Sequence, residues 1–298
     1  MVGTLPRNVQ LKLEQTLSQW HNWQCKPSLT EKPTVAKRLS RGLSNYSFLV
    51  SSGDLYVIRI DGVNPAIIGL SRQTEWRAMA SASAAGLAPC PRYYNPELNS
   101  LVYDYLTEDP VPVTDPAATA SLLQAIHQLP PVHFRLDLPE RVRRYEKHMQ
   151  HQGTPLHPVL DSCRTEILRI LDTVSSEEQC PVFCHNDLLR ANRLSCGGSL
   201  RAIDWEYCAM GSRWFDLAVV TVGDGLNQES RETLLTAYLD RAACDEERQR
   251  LSNYEIVYRY IELLWFNALD SDSDSERALG LSDARLQALE KGLPSSGR

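Results

Sequence analysis

The amino-acid sequence predicts an α+β fold in two lobes, a small β-rich N-terminal lobe and a larger, mainly helical C-terminal lobe. Short apolar, β-branched and aromatic runs separated by turn signals fill the first ~105 residues, which is typical of strands. Most segments after the Pro110-Val111-Pro112 stretch instead carry helical periodicity. We therefore place the N-terminal lobe at residues 1–106 and the C-terminal lobe at residues 107–298.

Within residues 1–36, apolar residues at helical spacing predict one leading helix, and prolines 27 and 33 predict the loop that follows it. Ser51-Ser52-Gly53-Asp54 is a hairpin signal between two apolar runs, and Gly86 with Pro89 ends a helical pattern. The predicted elements of this lobe are strands at Ser47 to Val50, Leu55 to Ile60, Tyr93 to Tyr94 and Leu101 to Leu106, and a helix at Arg72 to Ala85.

The C-terminal lobe is predicted to contain helices at Ala117 to Gln128, Leu138 to Gln150, Pro158 to Val174, Ser230 to Ala243 and Tyr254 to Leu269. Two short strand-like runs, Val182 to Cys184 and Leu200 to Ile203, interrupt these helices. They flank a polar loop that begins His185-Asn186-Asp187. No repeat occurs at a fixed period, which excludes solenoids and propellers.

Composition excludes several classes of protein. The chain has 298 residues, 43% of them hydrophobic, and Lys plus Arg total 31 against 37 Asp plus Glu, so no basic surplus exists to bind nucleic acid. Apolar runs such as Ile67 to Leu70 are far shorter than the roughly 18 to 20 residues that cross a bilayer, and we expect no membrane insertion and no export signal. Eight cysteines without CxxC pairs predict reduced thiols and a cytoplasmic location.

The polar loop carries the clearest chemical signal. Asn192 follows Asp187 by five residues, and Asp204 follows twelve residues later at the end of an apolar strand. Phosphoryl transfer from ATP needs a carboxylate near the attacking hydroxyl and oxygen ligands that hold Mg²⁺ against the triphosphate. An isolated Asp-x4-Asn is more often a polar loop that caps turns. The flanking strands, His185 and the Asp-Trp-Glu that begins at Asp204 favour the catalytic interpretation.

These motifs resemble those of the choline and ethanolamine kinases, within the wider group of aminoglycoside phosphotransferase-like small-molecule kinases. The resemblance runs from about Leu39 to Leu269. His185 to Asn192 matches the H-x-D-x4-N loop of that family, and Ile203 to Tyr207 matches its I-D-[FW]-E-Y signature. The resemblance implies a bilobal protein kinase-like fold, with Asp187 as catalytic base and with Asn192 and Asp204 as catalytic residues that bind Mg²⁺.

Downstream, Trp214-Phe215-Asp216-Leu217-Ala218 is similar to the F-D-[IL]-A segment of the family. We interpret Asp216 as a support of the catalytic loop, and a direct contact with substrate is the alternative.

The N-terminal lobe supplies candidates for a nucleotide site. Arg41-Gly42-Leu43-Ser44-Asn45 is similar to the family turn G-G-[LM]-[ST]-N, in which Gly42, Ser44 and Asn45 would approach phosphate oxygens. Arg41 departs from this pattern because it occupies the place of the first glycine. Arg59 resembles the arginine that the choline kinases carry on this strand, where a guanidinium can bind phosphate, and Glu75 is its expected ion-pair partner. A solvated strand arginine and an exposed helical glutamate are the alternatives.

Leu101 to Leu106 is predicted to run into the linker between the lobes. In this fold the linker lends backbone groups to the adenine ring, and Asp104 and Leu106 would be the contacting peptide units. The alternative is that these side chains simply form part of the exposed surface of the linker.

Aromatic side chains and one carboxylate predict the acceptor pocket. A quaternary ammonium cannot donate hydrogen bonds, so ring faces and a nearby negative charge recognise it. Trp205, Glu206, Tyr207 and Trp265 are predicted to bind substrate, with Glu206 and Trp265 reaching the ligand. At least half of the candidate aromatic residues are expected to pack in the core instead. The aromatic candidates are Trp205, Tyr207, Trp214, Tyr260, Trp265 and Phe266.

The resemblance therefore implies an ATP- and Mg²⁺-dependent kinase that phosphorylates a cationic amino alcohol, with choline or ethanolamine favoured. Thiamine kinase and aminoglycoside or amino-sugar phosphotransferase are alternatives. A pseudokinase-like nucleotide-binding module is the alternative outside enzymes, supported only by Arg41. The expected partners are ATP and the small alcohol, and a homodimer is left open.

Overall fold

Five antiparallel strands form the N-terminal sheet, in the order β1-β2-β3-β5-β4. The structure, a computed structural model, describes residues 5–39, 45–62, 71–111, 113–177, 180–268 and 280–294. Gly53 joins β2 to β3 with a φ of 77°, a conformation that a residue without a Cβ adopts easily, so the predicted hairpin is present. The strands are β1 (Thr34–Leu39), β2 (Asn45–Ser52), β3 (Asp54–Asp61), β4 (Pro91–Asn95) and β5 (Ser100–Asp104).

Two helices pack against this sheet and fix its position. Helix α1 (Arg7–Ser18) buries Val9, Leu13 and Leu17 in a cluster with the apolar residues of β2 and β3. Helix α2 (Arg72–Ala84) begins at a cap in which the Ser71 side chain accepts a hydrogen bond from the Thr74 backbone. Its residues Ala78, Met79 and Ala82 belong to the large core cluster of the C-terminal lobe. Helix α2 therefore joins the two lobes.

Seven described helices build the C-terminal lobe around one core. Helix α6 is buried along almost its whole length and packs against the long helix α8. No helix of the part of the chain described here is long and apolar enough to span a membrane. The helices are α3 (Pro116–His127), α4 (Leu138–Gln152), α5 (Pro158–Glu177), α6 (Arg213–Gly223), α7 (Gln228–Leu239), α8 (Asp245–Ala268) and α9 (Asp283–Gly292).

Two small antiparallel ribbons hold the polar loop. Strand β6 (Val182–Cys184) pairs with β9 (Ala209–Gly211), and β7 (Arg193–Cys196) pairs with β8 (Ser199–Ala202). The loop of residues 185–192 leaves β6 and enters β7, and residues 203–208 connect β8 to β9. The ribbons therefore bring both signature motifs to one side of the lobe.

The predicted two-lobe α+β architecture is confirmed, with differences in detail. Strands β1, β7 and β9 and helices α6 and α9 were not predicted. Helix α7 ends at Leu239 instead of Ala243, because Asp240 adopts a left-handed φ of 55°. Helix α8 starts at Asp245, nine residues before the predicted Tyr254. The lobe boundary after Leu106 falls between β5 and α3 and stays a prediction.

Candidate active site

A cavity of about 600 Å³ lies between the N-terminal sheet and the helical lobe. Asp104 and Leu106, at the end of β5 and just beyond it, line one end. Asp187 lines its middle, and Trp265 of α8 lines the other end. One continuous space therefore joins the predicted nucleotide and acceptor regions.

Arg59 and Glu75 form the predicted ion pair. Arg59 stands on β3 and Glu75 on α2, and both are almost fully buried. The two guanidinium nitrogens each contact one carboxylate oxygen, with 2.6 Å between Nη2 and Oε2 and a shorter contact between Nη1 and Oε1. Burial raises the pKa of Glu75, but the charges of Arg59 and Arg72 more than offset this, and the pKa is lowered. Glu75 is thus held ionised beside its partner.

The same guanidinium reaches across the cavity. Arg59 Nη1 donates to Asp204 Oδ1 at 3.0 Å, which joins β3 to the second signature motif. Arg72 extends the contact, because its Nη1 donates to Glu206 Oε2 at 2.8 Å and to Glu75 Oε2 at 2.9 Å. Arg72 also pairs with Asp61 at 2.7 Å. We call Arg59, Asp61, Arg72, Glu75, Asp204 and Glu206 the interlobe network.

Sequence reasoning missed Arg72 and Asp61. A signal was present, because Arg72 precedes Glu75 by three residues at the start of α2, where side chains share one helix face. Asp61 is the last residue of β3 and follows Arg59 by two, so both side chains lie on the same face of the strand.

Asn192 fixes the side chain of Asp187. Its Nδ2 donates to Asp187 Oδ2 at 2.8 Å and to the Asp187 carbonyl oxygen at 2.9 Å. Because an amide is planar, Oδ1 of Asn192 then points to the opposite edge. The Ile203 N–H donates to the Asn192 carbonyl oxygen at 2.9 Å, which brings the loop beside Asp204.

Negative charge accumulates where these residues meet. Desolvation raises the pKa of Asp187 well above its ordinary value, and the charges of Asp204 and Glu206 raise it further. Desolvation also raises the pKa of Asp204 to about 7, with Glu206 adding to the effect and Arg59 opposing it. Asp204 holds a left-handed φ of 61°, which aspartate adopts more readily than most residues with a Cβ. A divalent cation would relieve this excess charge.

The donor set fits Mg²⁺. The carboxylate of Asp204 and the amide oxygen of Asn192 are hard oxygen ligands of the kind that Mg²⁺ prefers. Both residues line the cavity together with Asp187. These side chains could therefore hold the ion against the phosphates of a nucleotide.

Asp216 supports the catalytic loop from behind. Its side chain is fully buried on α6 and accepts hydrogen bonds from the backbone N–H groups of His185 at 2.8 Å and Asn186 at 2.6 Å. Burial lowers the pKa of His185, and its Nε2 lies 3.0 Å from the Ile203 carbonyl oxygen, so a neutral imidazole can donate there. Asp216 does not line the cavity. This geometry fits a residue that holds the catalytic loop in place and not one that contacts substrate.

Helices α4 and α8 form the far end of the cavity. It is lined by Arg141 and Tyr145 of α4 and by Glu262 and Trp265 of α8. The Arg141 guanidinium lies 4.7 Å above the ring of Tyr207. Sequence reasoning identified Tyr207 and Trp265 but missed Arg141, Tyr145 and Glu262. Glu262 was within reach of inference, because it precedes Trp265 by three residues on the same helix face.

Two substrate-binding predictions are corrected by the placement of side chains. Trp205 is fully buried, donates from Nε1 to the Ala202 carbonyl oxygen at 3.0 Å and packs 4.7 Å from the ring of His185, so it belongs to the core and not to the cavity. Glu206 lines the cavity, but its carboxylate is bonded to Arg72 and also accepts from Asn45 Nδ2 at 2.9 Å. It is therefore not free to face a ligand cation.

The remaining candidates divide between cavity and core. Trp214 and Tyr260 are buried away from the cavity, whereas Phe266 lines it, so half of the aromatic candidates pack in the core. Asp104 pairs with Arg92 through its side chain at 2.6 Å, and its backbone N–H donates to the Cys90 carbonyl oxygen at 3.0 Å, so the predicted adenine contact of this residue is confined to its carbonyl oxygen. Gly42 and Ser44 lie outside the described residues.

Comparison with protein families finds a match of residues 35–254 to the phosphotransferase enzyme family. A LicA homolog from Mycoplasma capricolum is 26% identical over 184 residues, which cover 61% of this chain and 73% of the relative. Human ethanolamine kinase 2 is 24% identical over 178 residues, which cover 55% of this chain and 45% of the relative. The chain thus spans less than half the length of the human relative.

Solved structures share the fold over nearly the whole chain. A choline/ethanolamine kinase family protein from Mesorhizobium loti has a TM-score of 0.74 and 22% identity, covering 96% of each chain. A LicA in complex with AMP has a TM-score of 0.73 and 20% identity, covering 95% of this chain and 98% of that one. These likenesses confirm the predicted protein kinase-like fold.

Proposed function

The chain belongs to the phosphotransferase enzyme family, and from that premise we propose that it is an ATP- and Mg²⁺-dependent kinase of a small cationic alcohol, choline or ethanolamine. One observation carries the proposal: Asp187 lines a single cavity together with Arg59 of the N-terminal sheet and Trp265 of the helical lobe. The names of the relatives, LicA homolog and ethanolamine kinase 2, support the same acceptor class.

Asp187 acts as the general base in this proposal. The acceptor oxygen bonds to the γ-phosphorus, the bond from that phosphorus to the β,γ-bridging oxygen breaks, and ADP leaves with the electron pair. The hydroxyl proton moves to Asp187, whose raised pKa suits it to accept a proton. Asn192 holds the carboxylate in one orientation through its 2.8 Å hydrogen bond.

The nucleotide binds at the end of the cavity formed by the sheet. Arg59 contacts phosphate oxygens through a guanidinium that Glu75 has already oriented. The carbonyl oxygen of Asp104 and the peptide group of Leu106 would meet the adenine, and Asn45, at the start of β2, lines the same cavity. Roles for Gly42 and Ser44 at the phosphates stay predictions. Asn192 and Asp204 hold Mg²⁺, which when bound offsets the negative charge of the triphosphate.

The acceptor binds between α4 and α8. The rings of Tyr207 and Trp265 line this end, and Arg141 already lies over one face of the Tyr207 ring, so Trp265 is the ring we assign to the cation. Glu262 lines the same end and has one arginine partner, whereas Glu206 is bonded to both Arg72 and Asn45, so we assign the negative charge for the ligand to Glu262. Arg285 lies 3.2 Å from Glu262 and keeps it oriented.

The test is turnover with MgATP and a panel of choline, ethanolamine, thiamine and an aminoglycoside, followed by ADP release and by mass spectrometry of the phosphorylated alcohol. Choline or ethanolamine is expected to give the highest kcat/KM. Turnover of the aminoglycoside alone would overturn the acceptor assignment, and no turnover with any alcohol would overturn the kinase assignment. The cytoplasmic location and the homodimer stay predictions.

Asp187→Ala serves as the catalytic variant, with Asp172→Ala on the exposed side of α5 as its control. Loss of the carboxylate next to the acceptor is expected to abolish transfer while nucleotide affinity stays nearly unchanged, because a base stabilises the transition state more than it binds ATP. Wild-type turnover of Asp187→Ala would remove Asp187 from the mechanism.

A further inference from the structure

Arg141 is a buried cation in the acceptor end of the cavity. It stands on α4 with 9% of its surface exposed, lines the cavity and lies over the ring of Tyr207. It hydrogen-bonds the Tyr145 hydroxyl. Within the described ranges no carboxylate lies within ion-pair distance of it, although a buried guanidinium ordinarily has such a partner.

The other cations that line the cavity are engaged or distant. Arg59 is neutralised by Glu75 and Asp204. Lys37 and Arg38 are exposed on β1, at the nucleotide end. The catalytic loop adds none, because Arg190 points to solvent and Leu189 presents an apolar side chain to the cavity. Arg285 pairs with Glu262 at this end but does not line the cavity. Among the residues described, Arg141 is thus the cation that lines the acceptor end without a carboxylate partner.

A fixed positive charge is a poor contact for a cationic alcohol, since like charges repel. Arg141 is nevertheless close enough to Asp187 for its charge to act on that carboxylate. A group that must be anionic arrives at this place in every turnover, namely the phosphoryl group that bonds to the acceptor oxygen. This reasoning rests on the proposed function.

We propose that Arg141 is a catalytic residue that binds the transferred phosphoryl group from the acceptor side and retains the phosphate ester of the product. Its guanidinium donates two N–H groups to non-bridging oxygens while the bond to ADP breaks and the bond to the acceptor oxygen forms. Arg59 lies on the nucleotide side of the group, where Asn192 and Asp204 would hold Mg²⁺. Tyr207 below and Tyr145 beside it hold the guanidinium in place before the phosphoryl group arrives.

Kinetics provide the first test. Arg141→Met keeps an unbranched apolar stem and removes the charged guanidinium, and it is expected to lower kcat by about 100-fold with little change in acceptor KM, the effect of losing a donor to transition-state charge. Arg141→Lys keeps the charge but cannot donate two parallel hydrogen bonds, so its kcat should lie between those of the wild type and Arg141→Met. Arg144→Met, exposed on the same helix, is the control and should match wild type.

Direct binding provides the second test and does not depend on turnover. Titration calorimetry without nucleotide is expected to show that inorganic phosphate and phosphoethanolamine bind the wild type and lose at least tenfold in affinity in Arg141→Met. The affinity of Arg141→Met for ethanolamine should equal or exceed that of the wild type. Thermal unfolding of each variant establishes that it is folded, and Arg141→Lys carries the test if the Met variant does not fold.

Three results would overturn the proposal. The first is that Arg141→Met binds phosphoethanolamine as tightly as the wild type does. The second is that Arg141→Met loses as much affinity for ethanolamine as for phosphoethanolamine, which would indicate a merely structural role. The third is Arg141-dependent binding of a carboxylate-bearing alcohol such as serine without binding of phosphate, since the anion would then belong to the acceptor. Failure of the alcohol panel with intact Arg141-dependent phosphate binding would instead overturn the proposed acceptor.

Discussion

Glu206 is a residue whose position changes its expected role. Its carboxylate accepts hydrogen bonds from Arg72 and from Asn45, both on the N-terminal side of the cavity. We predict that Glu206→Gln lowers the free energy of unfolding by about 1–3 kcal/mol, the range for a hydrogen bond to a charged group. Because the carboxylate does not face the acceptor, kcat/KM should fall equally for choline and for its neutral isostere 3,3-dimethylbutanol. Chemical denaturation and paired kinetics measure the two effects.

Glu262 is expected to behave in the opposite way. It lines the acceptor end beside Trp265, so its charge adds to the ~0.5 to 2 kcal/mol that a well-placed ring gives a cation. Glu262→Gln should narrow the ratio of kcat/KM between choline and 3,3-dimethylbutanol, while stability changes little. If Glu206→Gln narrows this ratio and Glu262→Gln does not, the original assignment from sequence is correct.

Asp216 links two backbone donors of the catalytic loop to α6. Asp216→Ala would leave the N–H groups of His185 and Asn186 buried without acceptors, at a cost of about 1–3 kcal/mol each. We predict a loss of about 2–6 kcal/mol in unfolding free energy, measured with urea, together with a lower kcat. A drop in kcat with unchanged stability would instead indicate a direct contact with substrate.

Sequence spacing predicts that Asp187, Asn192 and Asp204 lie together, and the structure brings them into one cavity; their chemical roles stay predictions. Short ribbons keep these residues close in space because they are close in sequence. Arg141 could not be found in this way, since it reaches the cavity from a helix 46 residues upstream of Asp187 and carries no motif. Trp205 was misplaced because local sequence does not show whether an aromatic ring faces a core or a cavity.

At the scale of the element, helix α6 meets the catalytic loop through a glycine. A Cβ built on Gly223 would lie 2.3 Å from Cδ2 of Leu189, which lines the cavity two residues after Asp187. We predict that Gly223→Ala displaces Leu189 into the cavity and lowers kcat/KM. Alanine also favours the helix by about 1 kcal/mol, so the melting temperature should change little. Kinetics together with thermal unfolding check this, and unchanged kcat/KM would show that Leu189 moves elsewhere.

Elements escaped prediction for physical reasons. Helix α6 buries every residue from Trp214 to Thr221, including Asp216 and Thr221, so it lacks the exposed polar face that marks a surface helix in a sequence. Strand β1 lies at the edge of the sheet and exposes Lys37 and Arg38. Its sequence therefore carries the polar residues that are typical of a loop. Helices α3, α4 and α5, each with one apolar stripe, were predicted to within three residues at their ends.

At the scale of the whole molecule, the interlobe network ties nucleotide binding to stability. Arg59 forms an ion pair with Asp204, and Arg72 forms one with Glu206. The charges of a nucleotide and Mg²⁺ bound between the lobes would therefore act on both ion pairs. Mg²⁺ with nucleotide at 100 times its Kd should stabilise the chain by about 2.7 kcal/mol. We predict that Asp204→Ala loses the Mg²⁺-dependent part of this thermal shift, because one carboxylate ligand is gone. An undiminished shift would show that Asp204 is only a residue at the end of a strand.

The acceptor end has a consequence for how such proteins diverge. Tyr258, Ile261, Glu262, Trp265 and Phe266 line it from one face of α8, whereas Leu263 and Leu264 anchor that helix in the core. The groups that break and form the phosphate bonds stand on other elements. Point substitutions along this face can therefore change which alcohol binds while the residues that carry out phosphoryl transfer stay the same. A library of variants confined to these positions would test new substrates with the catalytic residues unchanged.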